Sequence, residues 1–177
     1  MTHERTALPK TCSPMTAFPK KTLQLLAVLA LGLFTAAGSL AAEPINTLEK
    51  TGLFGYDPTG VAIRGADTVA YFTEGKYVPG TDSHTTTWSG ATWKFSSQEN
   101  LDLFVADPQR YAPQYGGYCA YGVAQDALVK IEPENFSIVD GKLYLNYSDG
   151  VQSKWEKNIG GFISSANEKF QRLLDES

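Results

Sequence analysis

The sequence predicts an α+β fold, a single compact domain in which short antiparallel β-hairpins pack with about three helices. Two turn signals support this prediction, because Ser89-Gly90 and Asp140-Gly141 each separate two short runs rich in threonine, aromatic and β-branched residues. A third observation is the helical spacing of apolar residues in segments that follow helix-start signals, most clearly towards the C-terminus. The sequence has no internal repeat that would indicate a solenoid or a propeller.

Residues 1–42 have the organisation of a secretory signal peptide. Lys20 and Lys21 precede an apolar run at residues 23–34, and small residues follow this run up to Ala42. A membrane-spanning helix needs about 20 apolar residues. This run is shorter, so we expect cleavage after Ala42 and no stable membrane anchor. The sequence therefore predicts export of the chain to the periplasm.

Removal of residues 1–42 changes the charge and the set of reactive side chains. The full chain has 15 basic and 19 acidic residues; this segment contains four of the former and one of the latter, which leaves a net charge of −7. Nucleic acid and anionic membrane surfaces bind basic patches, so we expect neither as a partner. One cysteine, Cys119, and one histidine, His84, remain in the mature chain. A disulfide within the mature chain is therefore excluded.

The first half of the mature chain contains an arm and a hairpin. Residues 43–59 have little periodicity and predict an extended arm or a short helix, which leads into a domain spanning residues 60–177. The β-branched and aromatic residues of segment 60–72 predict two short strands around a turn. Residues 85–88 and 91–95 predict a β-hairpin whose aromatic side chains supply much of the core.

A helix is predicted directly after this hairpin. Ser96 begins a capping-box pattern, Ser-x-x-Glu, in which its hydroxyl accepts the amide N–H of the glutamate. Leu101, Phe104 and Val105 form the apolar face of the helix. The Asp-Pro pair that ends in Pro108 predicts its termination.

The second half of the domain continues with a turn, a hairpin and a C-terminal helical extension. Residues 111–123 are dense in tyrosine and glycine and predict a tight turn. Residues 136–139 and 142–147 predict a second hairpin. Ser148 predicts the cap of a helix that ends at two glycines, and a last amphipathic helix is predicted from residue 162 to residue 175.

Cys119 has the most reactive side chain of the mature chain. Gly116 and Gly117 precede it, and glycines allow the backbone to bring N–H groups close to a sulfur or to a bound ligand. Tyr118 can donate a hydrogen bond to a thiolate, so these three residues form a candidate binding site next to the sulfur. A stabilised thiolate attacks electrophiles or binds soft metals. The alternative is a small buried hydrophobic residue, because free cysteines are often buried.

His84 and Asp67 are weaker candidates. His84 can activate a thiol or complete a copper or zinc site, so Cys119 with His84 is a candidate metal-binding pair. The alternative for His84 is a solvent-exposed position in a loop. Asp67 is either a carboxylate ligand or a residue that hydrogen-bonds its own turn, and turn chemistry is the stronger interpretation.

Several residues of the hairpin and the first helix follow one another in a recognisable order: Gly90, Trp93, Phe95-Ser96-Ser97, Asn100, Phe104, Asp107-Pro108 and Tyr111. This order resembles the YHS domain, a short module found in copper-transporting ATPases, some monooxygenase subunits and many exported bacterial proteins. In the family pattern, cysteines stand at the positions of Ser96 and Asn100. Two cysteines with this spacing near a helix start can bind one soft metal. Serine and asparagine cannot, so that metal site does not transfer to these positions.

The chain from residue 60 to residue 174 is also similar to a longer, exported subgroup of YHS proteins. The similarity is carried by the Tyr-Gly-Gly-Tyr-Cys-Ala-Tyr segment at 115–121, the hairpin at 139–147 and the Lys-Trp-Glu segment at 154–156. Some members of this subgroup are selenoproteins, and the resemblance places their selenocysteine at the position of Cys119. Selenocysteine is a stronger nucleophile than cysteine, so the resemblance implies a chemical role for this position.

Three functions follow from these observations. The first is a binding module that holds copper or another soft metal ion through Cys119 with His84, a tyrosine, a backbone group or a second chain. The second is a redox protein in which Cys119 is the catalytic nucleophile and a thiol-containing molecule is the partner. The third is a structural or interaction module without chemistry of its own. The sequence does not predict an oligomeric state.

Overall fold

The computed structural model describes residues 43–51 and 55–177, so the predicted signal peptide lies outside the described residues. The predicted α+β class is confirmed, because the described residues form three two-stranded antiparallel sheets and six α-helices. All of the described residues belong to one compact unit. None of the helices in this part of the chain has the length and apolar character that a bilayer-spanning segment requires.

Three hairpins alternate with helices along the chain. The strands are β1 (Leu48–Thr51), β2 (Gly55–Pro58), β3 (Thr81–Trp88), β4 (Ala91–Phe95), β5 (Phe136–Val139) and β6 (Lys142–Leu145). The α-helices are α1 (Ala70–Thr73), α2 (Gln98–Ala106), α3 (Pro108–Tyr111), α4 (Ala120–Ala124), α5 (Asp149–Trp155) and α6 (Ile159–Asp175). Two 3-10 turns cover Ala62–Gly65 and Gln114–Gly117. The sheets are the pairs β1–β2, β3–β4 and β5–β6.

The predicted N-terminal arm is an integral part of the domain. It contains the hairpin β1–β2, preceded by Ile45, Asn46 and Thr47, whose exposed fractions are only 6%, 1% and 2%. The backbone N–H of Asn46 donates to the carbonyl of Gly116 at 2.8 Å, and its side-chain amide donates to the carbonyl of Gly117 at 3.0 Å. The arm is therefore anchored to the turn that precedes Cys119.

The prediction of two short strands in segment 60–72 is wrong. A 3-10 turn and α1 occupy this segment, and Ile63 and Arg64 in the turn have positive φ angles of 52° and 55°. The Asp67 carboxylate accepts the backbone N–H of Val69 at 3.0 Å, just before α1. Local capping and burial thus override the strand propensity of the β-branched residues in this segment.

The predicted hairpin of β3 and β4 is confirmed, with Trp88 opposite Ala91 across the turn. Alternate residues of β4 are buried, which places the Trp93 and Phe95 rings in the core. The ring centroid of Phe104 from α2 lies 4.8 Å from that of Trp93 and 5.0 Å from that of Phe95. This aromatic cluster fixes α2 against the hairpin.

The capping prediction for α2 is wrong by one residue. Ser97 is the N-cap, and its hydroxyl oxygen accepts the backbone N–H of Asn100 at 3.1 Å. The Ser96 hydroxyl instead donates to the carboxylate of Asp67 at 2.6 Å. A hydrogen bond from a hydroxyl to a carboxylate is stronger than one between a hydroxyl and a helix amide, and this tertiary contact explains the shift. The helix ends before the Asp-Pro pair, as predicted.

The second half of the domain follows the predicted order of elements, except that the short helix α4 lies at the end of segment 111–123, which is predicted as a turn. The turn between β5 and β6 has Asp140 and Gly141 at positive φ angles of 50° and 72°, as the two-residue hairpin prediction requires. Ser148 caps α5, also as predicted, but the helix ends at Trp155 and not at the two glycines. The last helix, α6, begins at Ile159, three residues earlier than expected. The side chain of Asn158 caps it, which allows the two glycines to belong to its first turn.

The core consists of two clusters of buried side chains. The first surrounds the aromatic residues of β4 and α2, and the second surrounds Tyr144 and Trp155 and includes residues of α6. Cys119 belongs to the first cluster, whereas its neighbours Tyr118 and Ala120 belong to the second. The segment that carries the cysteine therefore lies where the two clusters meet.

Candidate functional site

Cys119 lies at the start of α4 with only 1% of its surface exposed. Its Sγ accepts the backbone N–H of Gly122 at 3.3 Å and so caps the helix. Its S–H donates to Oδ1 of Asn146 at 3.6 Å. Its backbone N–H donates to the carbonyl of Val129 at 3.0 Å. The sulfur thus acts both as donor and as acceptor within the fold.

Burial raises the pKa of the Cys119 thiol above its ordinary value. Hydrogen bonds from the backbone N–H groups of Gly122, Tyr147 and Tyr121 act in the opposite direction, but their effect is smaller. Because the pKa is raised, the thiol is protonated at neutral pH. The backbone amides near the sulfur therefore do not produce the thiolate that reactive chemistry requires.

Asn146 holds the thiol in its donor role, and sequence reasoning did not identify it as a site residue. It is fully buried, and its Oδ1 accepts both the Cys119 S–H and the backbone N–H of Tyr121, the latter at 3.2 Å. Its Nδ2 donates to Oε1 of Gln152 at 2.8 Å. The available signal was a polar residue directly after the apolar residues of β6, which indicates a buried side chain with defined partners.

The Gly116-Gly117 pair has a packing role in the structure. Both residues have positive φ, 60° and 80°. A Cβ atom on Gly116 would lie 2.0 Å from the carbonyl oxygen of Pro44, and one on Gly117 would lie 2.2 Å from Cδ1 of Ile63. Glycine is therefore needed here so that the N-terminal arm and the Ile63 side chain can approach closely. Ligand binding by these two glycines stays a prediction.

The hydroxyl of Tyr118 bonds to the arm. Only 5% of this residue is exposed, and its OH donates to the backbone carbonyl of Glu43 at 3.0 Å. Burial, with a smaller contribution from the nearby Glu43 carboxylate, raises the pKa of Tyr118 to about 12. The hydrogen bond stabilises the docked arm, and the predicted donation to a thiolate or a ligand stays a prediction.

The hydrogen bonds of the His84 ring do not involve Cys119. It lies in β3, half-buried, and its Nδ1 shares a hydrogen bond of 3.2 Å with the hydroxyl of Thr81 on the same strand. No hydrogen bond joins its ring to the Cys119 thiol. Within residues 43–51 and 55–177, no group of three or more His, Cys, Asp and Glu side chains is arranged to hold a metal ion. Metal binding by Cys119 with His84 therefore stays a prediction.

A second polar centre surrounds Asp67, which is fully buried. Its Oδ1 accepts backbone N–H groups at the start of α1, as the turn interpretation predicted. Its Oδ2 accepts three further hydrogen bonds: from the Ser96 backbone N–H at 2.8 Å, from the Ser96 hydroxyl at 2.6 Å and from Nδ2 of Asn100 at 2.7 Å. The sequence contained one signal for this contact, because the polar Asn100 lies one helical turn before the buried Phe104.

Comparison with known proteins identifies one family. Residues 69–115 match the family model of the YHS domain, the family that the resemblance indicated. Neither the curated proteins nor the solved structures gave a significant match. The matched segment includes Ser96 and Asn100 but ends before Cys119. The match therefore covers the two side chains that donate to Asp67, Ser96 and Asn100, but neither Asp67 itself nor Cys119.

The residues at the family's cysteine positions do not fit a soft metal. Ser96 and Asn100 carry no thiolate, and both side chains already donate hydrogen bonds to Asp67. A soft cation prefers thiolate, thioether or imidazole ligands, and a hydroxyl and an amide engaged as donors offer none of these. The metal handling associated with YHS domains therefore has no ligand set at these two positions.

Proposed function

We propose that this chain is an exported YHS-domain protein that acts in the periplasm as a structural or interaction module. The observation that carries the proposal is the enclosure of Cys119, whose thiol is buried and hydrogen-bonded on both sides, and burial also raises its pKa. A nucleophile or a metal ligand needs an accessible thiolate. In this fold the same side chain caps α4 and ties it to Asn146, which is a structural role.

Export is supported by the N-terminal sequence, and the position of the arm is compatible with cleavage. The predicted cleavage point after Ala42 lies directly before Glu43, whose carbonyl accepts the Tyr118 hydroxyl. Cleavage at this point would leave the buried segment from Ile45 onwards intact. The net charge of −7 predicted for the mature chain favours neutral or basic protein surfaces as partners.

Soft-metal handling centred on Cys119 is a second candidate, favoured by the YHS match. Copper(I) binding would require the thiol to lose its hydrogen bond to Asn146 and to release its proton. It would also require ligands from outside the present arrangement, such as a second chain, because within the described residues no three His, Cys, Asp or Glu side chains are grouped to hold a metal ion. The thiol redox function also requires that the fold opens around Cys119 and that its thiol loses the proton.

One set of measurements separates these functions. Copper(I) is titrated against a chromogenic chelator under reducing conditions, with the exported protein and with Cys119→Ser. We expect neither protein to retain an equivalent of copper against the chelator. In parallel, alkylation of the thiol should be about a hundredfold slower in the native than in the denatured protein, because access to the thiol requires an opening that costs about 3 kcal/mol.

Two results would refute the proposal and establish another function. Retention of one copper equivalent that is lost in Cys119→Ser would establish the soft-metal function instead. Alkylation at the rate of the denatured protein, together with oxidation of the native thiol by peroxide, would establish a redox thiol. Circular dichroism of Cys119→Ser serves as the control that the variant is folded, since serine keeps a hydroxyl able to replace both hydrogen bonds.

A further inference from the structure

Asp67 connects two parts of the chain that are far apart in sequence. It lies before α1, whereas Ser96 and Asn100 lie at the start of α2, 29 and 33 residues later. One carboxylate accepts five hydrogen bonds: two from backbone N–H groups at the start of α1, two from Ser96 and one from Asn100. A fully buried carboxylate is stable only if it is paired or extensively hydrogen-bonded, and this one is surrounded by donors.

We propose that Asp67 is an internal anion that ties the start of α2 to the segment before α1, in the place where a cysteine-containing YHS domain would bind a cation. The charges in this centre are the reverse of those in a metal centre. A metal centre has a cation surrounded by anionic ligands, whereas this centre has an anion surrounded by hydrogen-bond donors. Serine and asparagine at positions 96 and 100 are then the residues that the arrangement requires, because each supplies a side-chain donor to one carboxylate oxygen.

The distances indicate that the Asp67 centre and a two-cysteine metal site can have the same geometry. The Ser96 Oγ and Asn100 Nδ2 atoms are 3.4 Å apart, and both lie within 2.7 Å of Oδ2 of Asp67. Side chains at these i and i+4 positions therefore converge on one point beside the buried carboxylate. Two thiolates that hold one metal ion at about 2.3 Å require a comparable convergence. The backbone at the start of α2 thus suits either polarity, and the side chains select between them.

The first test measures coupling through double-mutant cycles in urea unfolding. Asp67→Ala, Asn100→Ala and the double variant form one cycle. The exposed pair Gln98 and Asp102 of α2, whose side chains share a hydrogen bond of 2.8 Å, forms the control cycle. We expect a coupling of about tenfold or more in the unfolding constant for Asp67 with Asn100, and less than about threefold for the control. Equal coupling in the two cycles would overturn the proposal.

The second test inverts the polarity. In the S96C/N100C variant the carboxylate loses two side-chain donors, so we expect a lower melting temperature without metal. Cadmium(II) should then raise the melting temperature by several degrees, because a metal that binds only the folded state stabilises it. In the control variant Q98C/D102C the rise should be smaller, since those exposed positions have no buried carboxylate beside them to complete a cadmium site. No cadmium-dependent rise in folded S96C/N100C would contradict the shared geometry.

The third test adds metal ions to the unaltered protein. Cadmium(II) and copper(I) should leave its melting temperature unchanged. A metal-dependent rise that disappears in Asp67→Asn would show that Asp67 is a metal ligand, and would overturn this inference. A rise that disappears in Cys119→Ser, but persists in Asp67→Asn, would instead contradict the function proposed above. The two variants therefore distinguish failure of the one proposal from failure of the other.

Discussion

The substitution Gly116→Ala tests whether the glycine pair before Cys119 serves the N-terminal arm. Gly116 and the surface glycine Gly75 both have positive φ, 60° and 67°, so alanine at either position meets the same backbone penalty of about 1–2 kcal/mol. A Cβ on Gly75 meets no atom within 4 Å, whereas one on Gly116 would lie 2.0 Å from the Pro44 carbonyl oxygen. Gly75→Ala is therefore the matched control.

The additional cost at Gly116 follows from what the arm loses when it is displaced. Asn46 donates two hydrogen bonds to the turn, each of which contributes about 1 kcal/mol. Ile45 is 6% exposed, and exposing its side chain costs about 1.5–3 kcal/mol. Because the arm relaxes in part, we expect Gly116→Ala to lower the free energy of unfolding by about 3 kcal/mol more than Gly75→Ala does.

Urea denaturation of both variants measures this difference, and hydrogen exchange at the Asn46 amide shows whether the arm is displaced. That amide should exchange much faster in Gly116→Ala than in the unaltered protein, because its acceptor is the carbonyl of the substituted residue. If the two variants differ in stability by less than about 0.5 kcal/mol, the close approach of the arm does not explain the glycine.

Two further predictions concern the aromatic core and the buried thiol. Phe104→Ala should cost about 3–5 kcal/mol in urea denaturation, whereas the adjacent Val105→Ala, at a position 57% exposed, should change stability by less than about 0.5 kcal/mol. Similar costs for the two would show that α2 does not pack as described. The raised pKa of Cys119 predicts that the unfolded state releases the thiol proton first, so stability should fall as the pH rises above about 8.5. In Cys119→Ser this loss of stability should be absent. A second loss of stability should remain, beginning near pH 10, where the tyrosines of the unfolded state ionise while Tyr118 of the folded state does not. A urea midpoint of the unaltered protein that is constant from pH 7.5 to 9.5 would contradict the buried-thiol description.

Sequence reasoning failed where two local signals competed. In segment 60–72, β-branched residues indicated strands, but the Asp67 carboxylate caps α1 and the preceding turn places Ile63 in the core. At the start of α2, two consecutive serines both fitted the capping position. Their roles depend on Asp67, because its carboxylate takes the Ser96 hydroxyl and leaves Ser97 to cap the helix. Neither outcome can be predicted without the position of this carboxylate.

The sequence alone determined the features that depend on neighbouring residues. The Asp140-Gly141 turn, the Ser148 cap and the end of α2 before Pro108 involve contacts within about four residues, and the pattern of each was sufficient. The YHS assignment also rests on an ordered set of residues within one short segment. These features were predictable because the chain itself keeps the partners close.

Only the tertiary structure decided the environments of the candidate site residues. The partners of Cys119, Asp67 and Gly117 lie 27, 33 and 71 residues away in sequence: Asn146 for the thiol, Asn100 for the carboxylate and Asn46 for the turn. Whether a cysteine beside two glycines is a thiolate or a protonated thiol depends on burial and on such distant hydrogen bonds. The sequence predicted Cys119 as the reactive group, and the packing of residues distant in sequence determined that its thiol is enclosed.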